Sequence, residues 1–383
     1  MRFSDLTVDF PDSENRLYRR RGKVAAAGGV IVDLVRGNVN DHGMVYPGDT
    51  LLEVLTTAAG LAGTYRPAPL GQAAARAAIA EYYAPLDIGT DRILLTPGTS
   101  IAYWYCFKLL SEPGDEVLCP VPSYPLFDYI AKLSGTNIRH YRLLEREDWA
   151  IDLNYLEAQI TTRTRAIILI SPHNPTGMVA DAAQVEGLCE IAARHALPIV
   201  SDEVFSEFVF EGAPHAQPAA GNAPLVFTLN GFSKMFALPG VKIGWMAVSG
   251  DDSLVKKAMT TLELISDTFL PVNEIAQFSV AGIFERGRGF LESYKLRVAE
   301  CRSAALTSLA GLPLVAPRGG FYLVLPYERD IDEEDLAIEL LEDEKVLVHP
   351  GYFYDIEGRH LVLTFIQDPN VLTDVLPRLK HHL

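Results

Sequence analysis

Three short strings in this chain carry an amide, a carboxylate and an amine beside small or turn-forming residues. Asn174 opens the string Asn-Pro-Thr-Gly, and Asp202 closes an apolar run and precedes the string Glu-Val-Phe. Lys234 follows Ser233 and precedes the glycine-containing string Leu-Pro-Gly-Val-Lys-Ile-Gly-Trp at residues 238–245. Side chains of these types, in this order, could hold an aromatic aldehyde that has a ring nitrogen and a phosphate group.

Pyridoxal phosphate is an aldehyde of this kind, and its chemistry needs each of these groups. Lys234 supplies the amine that holds the aldehyde as a Schiff base, and Asn174 offers an amide to the phenolic oxygen. Asp202 closes the apolar run at residues 197–200, which is typical of a buried strand. Because a buried carboxylate needs a cationic partner, a protonated ring nitrogen suits Asp202 better than an ordinary loop or capping position does. The strings therefore predict a pyridoxal phosphate site.

From about Tyr65 to about Phe365, the sequence resembles the fold-type I pyridoxal phosphate enzymes of the class I/II aminotransferase family. The resemblance is specific because independent motifs, including Gly-Gly-Phe-Tyr at residues 319–322, occur in the family's order. It implies that Lys234 is catalytic and that these residues also contact the cofactor: Tyr65 at the phosphate of a partner subunit, Thr99 and Ser100 in the phosphate-binding turn, Tyr124 stacked on the pyridine ring, Asn174, Asp202, Phe205, Ser233 and Lys242.

Two of these assignments have alternatives in the residues themselves. Thr99 and Ser100 follow a strand-like segment and open a helical pattern, where free N–H groups and the helix dipole favour an anion. A simple helix N-cap would use the same residues. Tyr124 could be a core aromatic residue, although its position after a strand, level with the other motifs, favours stacking on the cofactor.

Phe205 and Lys242 depart from the family pattern. Phe205 stands where the family commonly has a tyrosine that donates to the cofactor's phenolic oxygen. Loss of a hydrogen bond to a charged group removes roughly 1.5–3 kcal/mol, so we expect the Schiff base to stay protonated at neutral pH. Lys242 stands where many relatives have arginine, and lysine can also bind phosphate as a point charge. The alternative for Lys242 is a surface lysine.

A third departure concerns the substrate. The resemblance implies an arginine near the C-terminus that clamps the substrate's α-carboxylate, but Val362 occupies that position. Arg359 should point to the opposite face of the strand, whereas His360 should share the face of Val362. The carboxylate is then held by another cation, or the substrate is not an ordinary α-amino acid. The other cations considered are Arg66, Arg318 and Lys242, and the expected pocket residues are Asn38, Asn40, Tyr352, His360 and Val362.

The composition sets limits on partners and location. The 383 residues include 49% hydrophobic ones, with 33 basic and 49 acidic residues giving a net charge of −16. This balance, without a basic tract, argues against nucleic acid and anionic membranes as partners. Four cysteines lack the spacing of a metal site or a disulfide framework, so no metal is expected. With no signal peptide or membrane-length apolar run, the chain is expected to be cytoplasmic.

Apolar strand candidates alternate with helical patterns, which predicts an α/β fold with a mainly parallel sheet and helices on both faces. Asp181 and Gln184 form a candidate capping box at the start of one helix. We expect a large cofactor-binding domain at residues 46–284. A smaller α/β C-terminal domain should combine residues 285–383 with an N-terminal arm, residues 1–45. The acid-rich stretch from Asp330 to Lys345 suggests a solvated helix face.

Transamination between an amino acid and a keto acid is the leading function, since it is the commonest activity of the family. A lyase, cyclase, replacement or oxidative enzyme acting on a specialised amino acid is the alternative, and Phe205 and Val362 both favour it. A non-catalytic sensor domain is a remote alternative, because no DNA-binding pattern precedes Gly37. If Tyr65 reaches a neighbouring subunit, the protein is a homodimer with shared active sites.

Overall fold

The computed structural model describes residue 4 and the segments 14–210 and 215–383. Its strands, β1 to β13, are Val32–Asp33, Ile93–Thr96, Glu116–Val121, Asn137–Leu144, Ala150–Ile151, Thr164–Ile170, Ile199–Asp202, Leu225–Gly231, Gly244–Gly250, Tyr322–Pro326, Val346–Leu347, His349–Pro350 and His360–Thr364. Its helices, α1 to α12, are Arg16–Ala26, Gly48–Leu61, Ala73–Tyr82, Thr99–Leu110, Leu126–Ser134, Leu153–Ala158, Ala182–Arg194, Phe232–Met235, Asp252–Asp267, Glu274–Ser308, Glu333–Asp343 and Pro369–Lys380.

An eight-stranded sheet in the order β2-β9-β8-β7-β6-β3-β4-β5 forms the centre of the molecule. The five strands β8, β7, β6, β3 and β4 are parallel, whereas β9 and β5 pair antiparallel with their neighbours. Alternate residues along β6 enter different cores: Ile168 packs with α4, α5 and α9, whereas Ile167 packs with α6 and α7. The predicted parallel sheet with helices on both faces is therefore confirmed.

The carboxyl ends of the parallel strands meet at one edge of this sheet. Asp202 ends β7, Asn174 lies in the turn after β6, and Tyr124 follows β3. Lys234 lies in α8, which begins directly after β8. Strand β9 pairs antiparallel with both β2 and β8, so β2 and β8 run in the same direction. Thr99, which follows β2, therefore lies at the same edge of the sheet. Open α/β sheets bind ligands at this edge.

Helix α7 begins as predicted, but only half of its capping box forms. The Asp181 carboxylate accepts a hydrogen bond from the Gln184 backbone N–H at 2.8 Å. The Gln184 side-chain oxygen, in contrast, is buried without a hydrogen-bond partner among the described residues. The cap therefore rests on Asp181 alone, which already satisfies one of the free N–H groups of the first turn.

A second hydrophobic core joins the two ends of the chain. Leu17 of α1 and Leu34 pack with Tyr294 in the second half of α10 and with α11 and α12, beside the three-stranded sheet β10-β13-β12. Ile283, in the first half of α10, belongs instead to the core that contains Trp245. The expected domain boundary after residue 284 thus falls inside one continuous helix. Residues 1–3 and 5–13 of the expected N-terminal arm lie outside the described residues.

The acid-rich stretch is not entirely a solvated helix face, which corrects the expectation from its charge. Glu333 and Glu334 begin α11 and are buried. Glu333 accepts hydrogen bonds of 2.8 Å from the backbone N–H groups of both Tyr352 and His360. Burial is tolerated because these N–H groups satisfy the carboxylate. Within residues 14–210 and 215–383, no helix has the length and apolar character needed to cross a membrane.

Candidate active site

Asp202 is a buried carboxylate held by two uncharged donors. Its side chain accepts from the Tyr103 hydroxyl at 2.9 Å and from the Val204 N–H at 3.1 Å. Burial raises the pKa of Asp202 to about 6, and the two hydrogen bonds only partly oppose this shift. The carboxylate therefore gains from any cation that enters the pocket beside it. A protonated ring nitrogen is a cation of suitable size.

Lys234 places its amine in aromatic surroundings close to that carboxylate. Its Nζ atom lies 5.5 Å from the centre of the Phe205 ring and 5.8 Å from the centre of the Phe321 ring. Burial lowers the pKa of Lys234, while the negative charge of Asp202 opposes this effect. A lowered pKa increases the fraction of neutral amine, which is the nucleophilic form that condenses with an aldehyde.

The Asn174 side chain has an unused hydrogen-bonding atom. Its Oδ1 is buried and has no partner among the described residues. The turn packs closely against Pro317, because a Cβ added at Gly177, where φ is +69°, would overlap that residue. His173 is also buried and contacts the Thr176 hydroxyl at 2.9 Å. A buried polar atom without a partner is costly, so this turn fits a polar ligand beside Asn174.

Glycines bring three segments together where a phosphate would bind. A Cβ added at Gly244 would lie 2.9 Å from the Cα of Gly98, and one added at Gly231 would lie 2.8 Å from the Ile243 carbonyl oxygen. Lys242 is exposed beside this contact. Helix α4 starts there after Gly98, without a side-chain cap. Its first N–H groups, the hydroxyls of Thr99, Ser100 and Ser233, and the Lys242 amine are donors suited to an anion.

Tyr124 occupies the opening rather than the core. Its side chain is 37% exposed and touches Phe127 edge-on, with 6.3 Å between ring centres. The negative charge of Asp202 contributes to raising the pKa of Tyr124, after burial, which places both residues in one electrostatic environment. The preceding residue, Ser123, donates its N–H to the Tyr354 carbonyl at 2.8 Å. A partly exposed ring such as that of Tyr124 can stack on the ring of a ligand.

The residues expected to contact substrate have different surroundings in the structure. Asn38 is exposed, while Asn40 donates to the carbonyls of Met44 and Ala237 at 3.1 and 3.0 Å. Asn40 therefore ties its loop to the segment that follows Lys234. Tyr352 is 48% exposed, and the charges that act on its pKa come from Arg16 and from the acids at the start of α11.

Strand β13 brings no cation to the pocket. Val362 is buried between Val324 and His349 on the neighbouring strands. His360 shares the apolar core of Val362 through Trp149, as the strand alternation predicted, but its Nε2 contacts Glu145 at 3.2 Å. Arg359 is paired with Asp330. Of the other cations considered, the backbone of Arg66 contacts Glu274, and that of Arg318 contacts Gly177 behind the Asn174 turn.

A chain of hydrogen bonds joins two tyrosines through a histidine, and the sequence pattern indicated His349 and Tyr354 as pocket residues but not Tyr18. The Tyr18 hydroxyl contacts His349 Nε2 at 2.8 Å, and His349 Nδ1 contacts the Tyr354 hydroxyl at 3.0 Å. After burial, the Tyr322 phenol contributes to the raised pKa of Tyr354, and the Tyr124 phenol contributes to the raised pKa of both residues. His349 and Tyr354 begin and end the string His-Pro-Gly-Tyr-Phe-Tyr, whereas no motif contains Tyr18.

A parallel α/β sheet that carries an aspartate, an asparagine and a lysine at its carboxyl edge is the framework of a fold-type I pyridoxal phosphate enzyme. The profile of the aminotransferase class I and II family matches residues 46–371, and the chain belongs to that family. It is a pyridoxal phosphate-dependent aminotransferase, a transferase that acts on an amino acid and a keto acid.

Similar proteins agree with this assignment. The glutamate-pyruvate aminotransferase of Escherichia coli is 31% identical over 363 residues, which cover 88% of each chain. The aspartate aminotransferase of Sulfolobus acidocaldarius is 28% identical over 78% of this chain and 76% of that protein. The crystal structure of an Escherichia coli aminotransferase superposes with a TM-score of 0.89 at 27% identity, covering 100% of this chain and 98% of that one.

Proposed function

We propose that this aminotransferase exchanges an amino group between an α-amino acid and an α-keto acid, with Lys234 as the group that moves the proton. When bound, pyridoxal phosphate supplies the aldehyde that condenses with an amine and the ring that accepts electrons from the substrate's Cα. The neutral amine of Lys234 then takes the Cα proton and returns it to the acceptor carbon. Its position at the end of α8, in an apolar setting, supports this role.

Asp202, Asn174 and Tyr124 orient the cofactor in this proposal. Asp202 holds the ring nitrogen protonated, Asn174 contacts the phenolic oxygen, and Tyr124 covers one face of the ring. The phosphate is placed in the cluster defined above by Gly98, Gly231 and Gly244. The observation that carries the proposal is a buried Asp202 carboxylate that has no salt bridge among the described residues. A protonated pyridinium nitrogen supplies the missing cation, and the Asn174 amide N–H can donate to the phenolic oxygen of the same ring.

A spectroscopic experiment tests the reaction. The yellow holoenzyme is mixed with a panel of amino acids without a keto acid, and the absorbance of the bound cofactor is followed. Transamination predicts loss of the visible band to a stable amine form, and recovery of the band on addition of a keto acid. Lys234→Ala should lack the resting visible band, and Lys256→Ala, on the exposed face of α9, serves as a matched control.

The same experiment identifies the alternative. A lyase, cyclase, replacement or oxidative enzyme would form product while the original band returned without any keto acid. The observation that favours this alternative is the buried Val362, which leaves β13 without a cation for the substrate carboxylate. A holoenzyme that responds spectroscopically to none of the amino acids, and yields no product from them, would contradict both enzymatic hypotheses and favour the remote alternative, a ligand sensor.

We further propose a homodimer with shared active sites, working in the cytoplasm. Tyr65 is 70% exposed, and Leu52, Leu61 and Phe269 are also exposed large apolar residues, as expected of a chain that buries surface against a second copy. All four cysteines are free and buried, as suits a reducing compartment. Mixing Lys234→Ala with Tyr65→Phe subunits tests the sharing, because a mixed dimer contains one intact site. We expect the mixture to bind more cofactor than the sum of the two parent variants measured separately. Binding equal to the average of the two variants would contradict shared sites.

A further inference from the structure

The chain formed by Tyr18, His349 and Tyr354 links α1 to the turn that follows β12. His349 contacts one phenol with each ring nitrogen, at 2.8 Å to Tyr18 and 3.0 Å to Tyr354. Burial lowers the pKa of His349 to about 4, so the ring is neutral at neutral pH. A neutral imidazole has one donor and one acceptor, so one phenol must donate to the ring while the other accepts from it.

This arrangement leaves the Tyr354 hydroxyl with an unused hydrogen-bonding group. In one tautomer, Tyr18 donates to Nε2, and the Nδ1 proton is donated to the Tyr354 oxygen. The Tyr354 proton is then free for a further acceptor, and the described residues supply its hydroxyl with no partner besides His349. Because Tyr354 is only 6% exposed, water satisfies this group poorly. In this tautomer, the inner end of the chain is a buried donor without an acceptor, whereas in the other tautomer Tyr354 donates to Nδ1.

The inner end lies beside the cofactor opening and away from charges. The pKa of Tyr354 is raised by burial and then by Tyr322, Tyr18 and Tyr124, with no lysine or arginine of the described segments among its influences. The Ser123 N–H, next to Tyr124, donates to the Tyr354 carbonyl at 2.8 Å. Charged groups influence the pKa values of the other two members of the chain, Tyr18 and His349. These groups are Asp33, Arg21 and Arg36 for Tyr18, and Asp33 for His349.

Tyr322 adds a second hydroxyl to this wall. A Cβ added at Gly37 would overlap the Tyr322 oxygen, so the backbone of the Gly37 loop approaches the phenol directly. Val362 packs in the same apolar core as Tyr354 and is opposite His349 across the β12–β13 pairing. The hydroxyls of Tyr322 and Tyr354 thus lie on the side of the pocket where Val362 of β13 offers only apolar atoms.

We propose that Tyr354, supported by His349 and Tyr18, binds the α-carboxylate of the substrate through an uncharged hydroxyl donor. This inference rests on the proposed transamination, because an amino acid and a keto acid each bring an α-carboxylate. The carboxylate accepts the free Tyr354 proton and so selects the tautomer in which His349 donates from Nδ1. Tyr354 is the binding residue, whereas His349 and Tyr18 are positioning residues that act through it.

Ligand binding to the holoenzyme tests the proposal without turnover. Propionate is the probe, propionamide is its uncharged analogue, and dissociation constants are measured by calorimetry near neutral pH. Tyr354→Phe should weaken propionate binding about 10-fold or more, the loss typical of a hydrogen bond to a charged group, and leave propionamide binding nearly unchanged. Tyr327→Phe is the matched control, since Tyr327 is also 6% exposed and its hydroxyl already donates to the Ile331 carbonyl at 2.9 Å, so neither constant should change.

Substitutions at His349 separate positioning from packing. His349→Asn keeps an N–H donor near the place of Nδ1 and should retain most propionate affinity, whereas His349→Leu should lose as much as Tyr354→Phe. In steady-state kinetics, Tyr354→Phe should raise KM for both the amino acid and the keto acid with a smaller change in kcat, because the contact forms before the chemical step.

The possible results are separable. Equal binding of propionate and propionamide by the wild type, unmeasurable propionate binding, or an unchanged constant in Tyr354→Phe would each overturn the carboxylate site. Equal losses in His349→Asn and His349→Leu would overturn the donor role of Nδ1. None of these results bears on the reaction itself, which fails only if amino acids leave the cofactor band of the wild type unconverted.

Discussion

Asp202 illustrates how a cofactor site reduces the stability of the chain that carries it. Burial raises the pKa of its carboxyl group from 3.8 to about 6 in the folded protein, with Lys234 only partly opposing the shift. We predict that Asp202→Asn stabilises the cofactor-free protein at neutral pH and weakens its hold on pyridoxal phosphate. The Asn side chain can still accept from the Val204 N–H, so the local fold should persist.

The magnitude follows from the pKa shift. A rise from 3.8 to about 6 is close to two pKa units, which at about 1.36 kcal/mol per unit gives about 3 kcal/mol. Because the pKa is higher in the folded than in the unfolded chain, ionisation of Asp202 opposes folding. The penalty is absent well below pH 3.8, grows between pH 3.8 and about 6, and is constant above that range.

Urea denaturation of the cofactor-free wild type and variant, from about pH 4 to about pH 8, measures the effect. The difference in unfolding free energy should grow by about 2.5 kcal/mol across this range, in favour of the variant, because a small part of the penalty is already present at about pH 4. Adding pyridoxal phosphate should reverse the order at the alkaline end, since the wild type alone pairs its carboxylate with the ring nitrogen. A difference that does not change with pH, or equal cofactor affinity in the two proteins, would refute the reasoning.

Three further substitutions probe the departures from the family pattern. Phe205→Tyr should add a hydrogen-bond donor worth roughly 1.5–3 kcal/mol and so lower the pKa of the Schiff base, followed by its visible absorbance, by about one to two units. An unchanged titration, or a wild type whose Schiff base deprotonates below about pH 7, would contradict this. Tyr65→Phe should weaken cofactor retention with no change in urea midpoint, since the ring is 70% exposed; retention equal to that of the wild type would count against a shared site. Val362→Arg should destabilise the fold by about 3 kcal/mol or more, because it buries an unpaired charge, and normal stability with tighter propionate binding would show that the strand can supply a cation.

The sheet and the cofactor motifs were predictable because each depends on neighbouring residues. A run of apolar residues that ends in Asp202 predicts both a buried strand and a carboxylate at its end, and the structure has β7 with Asp202 as its last residue. The string Asp-Glu does not by itself say which acid faces the cofactor. Glu203 turns to the other face, where Ser201 and Gln217 donate to it, because side chains alternate along a strand.

The contacts on the proposed substrate side could not be predicted in the same way because they join distant parts of the chain. Tyr18 and His349 are separated by 331 positions, and no motif contains Tyr18. Likewise, the sequence does not indicate that a backbone carbonyl at Ala237 takes the Asn40 amide or that the N–H of Tyr352 donates to Glu333. Such competition between partners is decided by packing, which a single sequence does not contain.

The apolar Val362 on β13 and the neutral state of His349 favour each other. Val362 lies opposite His349 across the β12–β13 pairing, so a cation on this strand would sit beside the imidazole and make its protonation still less favourable. An apolar neighbour, in contrast, excludes water from the contact between His349 and Tyr354 and strengthens it, because hydrogen bonds gain strength in a low dielectric. If Tyr354 binds the carboxylate as proposed, Val362 supports its hydroxyl donor, and substitutions at Val362 and Tyr354 should show non-additive effects on carboxylate binding.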